Sequence, residues 1–214
     1  MLDARLQTLI APPLNRSGQI LARAGVSANA VTMSGLAVDI VAIVTIACAH
    51  YTWGFAFILL SRILDGLDGA VARARGRSAL GGYLDIVTDY VFYAGVPLGF
   101  AWAAPASNAL PAAALLAAFL LTCSSFLAFA ALAAQRGLDQ ESQRPKSFFY
   151  STGLIEGTET IAFFVAMVLW PASFAYLAWI CAILCGMTAL QRSAAAVKRF
   201  RDRHEARVTS DRQT

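Results

Sequence analysis

The stretch from Asp65 to Asp89 reads DGLDGAVARARGRSALGGYLDIVTD, and its interpretation decides the fold. Asp65 and Asp68 lie three residues apart, and Asp85 and Asp89 lie four apart. Both spacings set each pair on one face of a helix. The residues on either side are apolar, in runs near the ~20 that cross a bilayer as a helix. A charged Asp at the bilayer centre costs at least ~2.5 kcal/mol, so all four must face a cavity or a partner. Between the pairs, Arg73, Arg75 and Arg77 make a short basic turn. That turn is expected to make the two helices antiparallel neighbours, so that the acids converge on one point.

The rest of the chain supports a membrane setting. Of 214 residues, 58% are hydrophobic and 14% charged, and the mean hydropathy is +0.59. A soluble domain of this size needs more polar surface. The expected class is an all-α integral membrane protein with six transmembrane helices. The spans are expected at Val31–Cys48, Phe55–Val71, Leu84–Ala103, Leu110–Ala134, Phe148–Trp170 and Phe174–Ala194. Residues 1–26 read as an amphipathic juxtamembrane segment on the membrane surface. They are broken by Pro12 and Pro13, with no apolar core and cleavage site of a signal peptide. Residues 27–200 read as the membrane domain, and 201–214 as a polar cytoplasmic tail. Cys48, Cys123, Cys181 and Cys185 sit in apolar runs, and Cys181 and Cys185, four apart, have no His or further Cys beside them, which favours packing over metal binding. No basic soluble face suits nucleic acid.

Charge then orients the spans. The connections around Tyr51 and Trp53, from Ala104 to Ala109, and at Pro171 and Ala172 carry no charge. The others hold Arg73, Arg75 and Arg77, or Arg136, Arg144 and Lys146, and both termini carry arginines. Lys and Arg collect on the cytoplasmic side. Both termini and the acidic site are therefore expected to face the cytoplasm, with the chain multi-pass in the cell's inner membrane.

Four converging carboxylates need a counter-charge. Oxygen ligands without His or Cys favour Mg²⁺, Mn²⁺ or Ca²⁺ over Zn²⁺. Two such ions suit chemistry on a diphosphate, by bridging phosphate oxygens and stabilising a leaving group. Gly66, Gly69, Gly81 and Gly82 lie among the acids and permit close helix packing or ligand approach. Arg73 stands at the membrane edge, where it can meet a diphosphate. The structural alternative is that the four acids only pair with Arg62, Arg73 and Arg75.

At these residues the chain resembles the CDP-alcohol phosphotransferase (CDP-alcohol phosphatidyltransferase) family. The family pattern is Asp-x-x-Asp-Gly-x-x-Ala-Arg, about eight residues, then Gly-x-x-x-Asp-x-x-x-Asp. It is met by Asp65, Asp68, Gly69, Ala72, Arg73, Gly81, Asp85 and Asp89, with seven residues between Arg73 and Gly81. Upstream, Asn29 and Thr32 resemble a Pro-Asn-x-x-Thr segment, with Ala28 where the Pro stands; Ser27 or Asn29 is also a candidate N-cap. The resemblance implies divalent metal, Mg²⁺ or Mn²⁺ and two ions, held by Asp65, Asp68, Asp85 and Asp89. It implies that Asp89 is also the general base. It implies a CDP site formed by Asn29, Thr32, Gly69, Ala72, Arg73 and Gly81, and a homodimer. The expected reaction moves a phosphatidyl or other substituted phosphate group from CDP-diacylglycerol, or another CDP-alcohol, to a small alcohol acceptor with release of CMP. A membrane polyprenyl transferase also uses Asp-rich helices, in a different pattern. A transporter would be expected to show an internal repeat.

The acceptor is written less plainly. The aromatic run after Asp89, with Pro97 eight residues on, resembles the serine and choline branches of the family. Glu156 and Glu159 lie three apart, ~13 to 18 Å along the fifth span at ~1.5 Å per residue, and are candidates for a cationic group on a serine-like acceptor. Their alternative role is helix packing beside Gly153 and Gly157. Lys146 and Arg144 argue instead for a phosphate or carboxylate. Arg62, three before Asp65, is a candidate counter-ion for Asp39 or a support for Asp65; otherwise each meets water separately.

Overall fold

The computed structural model describes residues 2–135, 155 and 157–211. Among them the chain is helical throughout, without strands. The helices are α1 (Leu2–Arg23), α2 (Ala28–Ala47), α3 (Tyr51–Arg75), α4 (Ala79–Ala103), α5 (Pro105–Gln135), α6 (Gly157–Leu169) and α7 (Phe174–Asp211). A 3-10 turn at Pro171–Ser173 joins α6 to α7.

Local chemistry sets the boundaries. Helix α1 closes where Gly25, at φ +86°, lets Val26 N–H return to the Leu21 carbonyl at 3.0 Å. Ser27 then caps α2, accepting from Ala30 N–H at 3.2 Å. Asn29 is left inside the helix rather than at its cap. Ala49 makes the same left-handed exit from α2 at φ 60°, with His50 N–H bonded to the Thr45 carbonyl at 2.8 Å. Ser78 caps α4, accepting from Gly81 N–H at 3.0 Å. The uncharged connections are shorter than expected. Tyr51 and Trp53 belong to α3, and α5 already begins at Pro105, because a single residue, Ala104, turns the chain.

Four segments are long and apolar enough to cross a membrane: Ala28–Ala47, Ala79–Ala103, Pro105–Leu132 and Pro171–Lys198. Helix α3 has the length, but Arg62, Asp65, Asp68, Arg73 and Arg75 lower its hydropathy. Helix α6 is 13 residues long within the described residues. The prolines of α1 do not break it; Leu2–Arg23 is one helix containing Pro12 and Pro13.

Helix α2 organises the bundle. It packs along both α3 and α4, while α3 and α4 do not pack along one another. The expected direct antiparallel pair is thus replaced by two helices splayed across α2, with room between them for a cavity. Small residues allow the α2–α4 crossing. A Cβ on Gly99 would stand 3.0 Å from the Ile43 carbonyl oxygen, and one on Gly95 would overlap the Ile43 side chain. Away from the acids, Phe92, Phe100, Phe164 and Phe174 are fully buried. Phe100 stacks on Phe174 with centroids 4.4 Å apart, which ties α4 to the start of α7.

Candidate active site

Asp65 and Asp68 come from the last turns of α3, and Asp85 and Asp89 from the first turns of α4. Three of the four meet. Asp65, Asp68 and Asp85 each offer a carboxylate oxygen, all within 4.8 Å of one another. Asp68 is buried, and Thr32 Oγ1 on α2 donates to its Oδ2 at 2.7 Å. Among the described residues no Lys or Arg forms an ion pair with any of these three. The alternative of acids paired with arginines does not hold for these three; it holds for Asp89, which pairs with Arg62. Arg73 instead donates from Nε and Nη2 to Asn15 Oδ1 at 3.2 and 2.9 Å. Arg75 donates to the Gly25 and Val26 carbonyls at 2.8 and 2.9 Å. Three hard oxygen donors, close together and lacking a protein cation, fit a divalent metal such as Mg²⁺ or Mn²⁺.

Asp89 stands outside that trio. Its Oδ1 accepts from Arg62 Nη1 at 3.2 Å. Arg62 also meets Asp39, Nη2 lying 3.2 Å from Oδ1 and 3.3 Å from Oδ2. Asp39 is buried and receives a hydrogen bond from Ser61. Arg62 is thus a counter-ion to Asp39, one of the two roles anticipated for it. It makes no ion pair with Asp65; its second partner is Asp89.

A cavity of about 360 Å³ opens beside the carboxylates. Asn29, Thr32, Gly69, Ala72, Arg73 and Gly81 all line it, together with Asp68 and Asp85. All six residues expected at a nucleotide site therefore share one space with two of the acids. Ala28, Gly76, Arg77, Ser78 and Gly82 complete the lining. The glycines keep it open: a Cβ on Gly81 would lie 3.1 Å from Ser78 Oγ and 3.2 Å from Asn29 Oδ1. The space, its metal-compatible rim and the arginines at its mouth suit an anionic, phosphate-bearing ligand.

A second cavity, of about 150 Å³, lies among α4, α5, α6 and α7. It is lined by residues including Tyr90, Tyr93, Thr122, Cys123, Gly157, Thr160 and Arg192. Arg192 is the one charged side chain among its described lining residues. Of the residues proposed from sequence for the acceptor, Glu159 is half-buried in the first turn of α6. Lys146 and Glu156 lie outside the described residues. Arg192, Asn15 and Ser61 were not singled out from the sequence. A charge two residues inside the expected end of the last span was the available signal for Arg192. Asn15 and Ser61 carry no signal without their partners.

Comparisons with known proteins agree with this geometry. Residues 25–190 match the family model described as CDP-alcohol phosphatidyltransferase. The chain is 48% identical over 192 residues to the inner membrane protein YnjF of Escherichia coli strain K12, covering 90% of this chain and 93% of that one. It is 30% identical over 99 residues to an archaetidylinositol phosphate synthase of Pyrococcus horikoshii, covering 46% of this chain and 53% of the relative. It is 38% identical over 90 residues to a phosphatidylinositol phosphate synthase of Mycobacteroides abscessus, covering 41% of each. The fold is similar to the crystal structure of Mycobacterium tuberculosis phosphatidylinositol phosphate synthase with CDP-DAG bound, with a TM-score of 0.61 and 21% identity over 86% of this chain and 92% of that one. The chain belongs to the CDP-alcohol phosphatidyltransferase family.

Proposed function

We propose that the protein transfers a phosphatidyl group from CDP-diacylglycerol to the hydroxyl of a small alcohol, releasing CMP. The observation that carries this reading is the meeting of Asp65, Asp68 and Asp85 at the rim of the cavity lined by Asn29, Thr32 and Arg73. The donor is suggested by the similar fold whose structure holds CDP-DAG. In the reaction the acceptor oxygen bonds to the phosphorus carrying the diacylglycerol group. The bond from that phosphorus to the bridging oxygen breaks, and the bridging oxygen leaves with CMP. Asp89 takes the hydroxyl proton. Arg73 and Arg77 hold diphosphate oxygens, and Asn29 and Thr32 sit where the cytidine moiety enters. Asp65, Asp68 and Asp85 would hold the divalent metal, while Asp89, outside that trio, is kept for the proton. When bound, two ions would offset negative charge on the diphosphate and the departing CMP.

The second cavity is the candidate acceptor site, since Tyr93 in its wall lies one helical turn on from Asp89, on the same face of α4. Arg192 there favours an acceptor that carries phosphate, such as a phosphorylated polyol. The archaetidylinositol phosphate synthase and the phosphatidylinositol phosphate synthase among the relatives are named for phosphate-bearing products, which supports the same reading. Glu159, at the start of α6, supports the other reading, a serine-like amino alcohol. The protein would work as a six-span homodimer in the inner membrane, with site and termini toward the cytoplasm, as the basic loops and the inner membrane relative suggest. Purified protein incubated with cytidine-labelled CDP-diacylglycerol and a panel of acceptors tests the reading. Acceptor-dependent CMP release with a matching lipid product is expected. Absence of CMP release with every CDP-linked donor and acceptor would refute it.

A further inference from the structure

We infer that Arg62 is a positioning residue that presents Asp89 to the reacting centre and is itself held by Asp39, Ser61 and Phe92. The inference rests on the proposed role of Asp89 as base and adds to it the device that fixes the base. Arg62 lies deep in α3 with only 13% of its side chain exposed. Its guanidinium is engaged on several sides. Nη2 meets both oxygens of Asp39 on α2, at 3.2 and 3.3 Å. Nη2 and Nε donate to Ser61 Oγ at 2.8 and 3.2 Å. Its central carbon lies 3.9 Å from the centroid of the Phe92 ring on α4. Nη1 then meets Asp89 Oδ1 at 3.2 Å.

This arrangement connects three helices through one planar group. A guanidinium has five donors in a rigid fork, so holding one edge fixes the direction of the other. Asp39, 4% exposed at its side chain, is the fixed end, and Ser61 donates to it while accepting from Arg62. Asp89, 35% exposed, is the free end that faces the chemistry. Its Oδ1 is occupied, and among the described residues its Oδ2 has no protein partner. One oxygen is anchored and the other is left for the acceptor hydroxyl, which restricts the carboxylate to few orientations. Arg62 forms no ion pair with Asp65, Asp68 or Asp85, although its charge acts on Asp65 and Asp85 at longer range, so Mn²⁺ binding is measured beside turnover.

A purely structural role, compensation of buried Asp39, predicts something different, and the double variant Arg62→Gln with Asp39→Asn separates the two. It removes both charges, so no unpaired ion remains buried. The expected result is a kcat at least tenfold lower that saturating Mn²⁺ does not restore, with donor KM within twofold of wild type, unchanged melting temperature and Mn²⁺ affinity within about threefold by spin resonance. Arg62→Lys should fall between, because an ammonium cannot span both carboxylates. Wild-type kcat in the double variant, or a loss explained by Mn²⁺ affinity or donor KM, overturns the inference. Should the double variant fail to fold, Asp39→Asn alone decides. A kcat reduced several-fold with donor KM kept supports the device, and an unchanged kcat refutes it. Asp89→Asn is the separate control: inactivity there beside a fully active double variant removes the positioning role alone, whereas wild-type turnover in Asp89→Asn removes the base reading beneath it.

Discussion

Asn15, on helix α1, accepts two hydrogen bonds from Arg73, the arginine that closes the Asp-Gly-x-x-Ala-Arg run of α3. The pair is 58 residues apart in sequence and fixes the guanidinium from outside the motif. Helix α1 can approach because its contacts with α3 are small. A Cβ on Gly18 would lie 2.5 Å from Ala70 Cβ and 2.8 Å from the Ala70 carbonyl carbon, and Leu14 covers Gly66. An amphipathic segment expected on the membrane surface thus packs on α3 and holds one of the arginines that line the cavity.

The first prediction follows from that pair. Asn15→Ala frees Arg73 without removing its charge. Hydrogen bonds to charged groups contribute about 1.5–3 kcal/mol when well shielded, and this one is exposed, so the lower end or less applies. Donor KM should rise about three- to tenfold by the usual conversion of about 1.4 kcal/mol per decade. Acceptor KM should stay within twofold. Titration with a CDP-linked donor in detergent checks it; a loss that falls equally on both substrates would show that Asn15 only supports the fold.

Helix packing gives the second prediction. Replacing Gly18 by Leu forces a side chain into the backbone of Ala70, which cannot yield as a flexible side-chain tip would. Overpacking of this kind costs about 1–3 kcal/mol. Helix α1 should detach from α3, detected as faster proteolysis near residue 18 and lower donor affinity. At Gly95 the obstruction is the side chain of Ile43. Gly95→Ala with Ile43→Ala, which removes both overlapping atoms Cδ1 and Cγ1, should therefore lose less thermal stability than the two single variants sum to. Additive losses would place the constraint on the backbone instead.

Metal dependence is the third prediction. Asp65, Asp68 and Asp85 lie within ligating distance of one another and lack arginine partners among the described residues. A strong chelator should abolish CMP release, and Mg²⁺ or Mn²⁺ should restore it. Asp68→Asn should weaken Mn²⁺ binding by at least tenfold, read by spin resonance independently of turnover. Full activity in metal-free buffer would contradict the assignment.

Most of this site was legible in the sequence because its chemistry is local. The four acids and the glycines sit at helical spacings within 25 residues, and charge inside an apolar run is costly enough to demand a reason. The six residues expected at the nucleotide site line one cavity for the same reason: the periodicity of α2, α3 and α4 fixes which faces they share. Two things were not legible. The splaying of α3 and α4 across α2 depends on close approaches at Gly95 and Gly99, whose partners are set by tertiary packing. The division of the acids into a trio and a separate Asp89 depends on Arg62, whose reach to α4 cannot be read from spacing on α3. The turns were misjudged by a few residues because Tyr51 and Pro105 begin helices directly, where polar or aromatic character had suggested loops.

The last prediction concerns the acceptor. The second cavity is small, with Tyr90, Tyr93, Phe119 and Phe126 among its walls, and Arg192 on α7 is its charged member among the described residues. A cation in such a setting is stabilised by an anionic group, and a guanidinium matches phosphate with two parallel hydrogen bonds. A phosphorylated acceptor would place its phosphate at Arg192 and its hydroxyl toward Asp89. Arg192→Gln should then raise the KM for a phosphorylated polyol at least tenfold while donor KM stays within twofold. Arg192→Lys should recover only part of the loss, because an ammonium lacks the forked geometry. Glu159→Gln should leave that KM within twofold. A serine-like acceptor reverses the pattern: Glu159→Gln would raise the KM for the amino alcohol, and Arg192→Gln would not. Measuring both variants against both acceptor classes, with donor KM as the internal control, decides between the two by which side chain the acceptor constant follows.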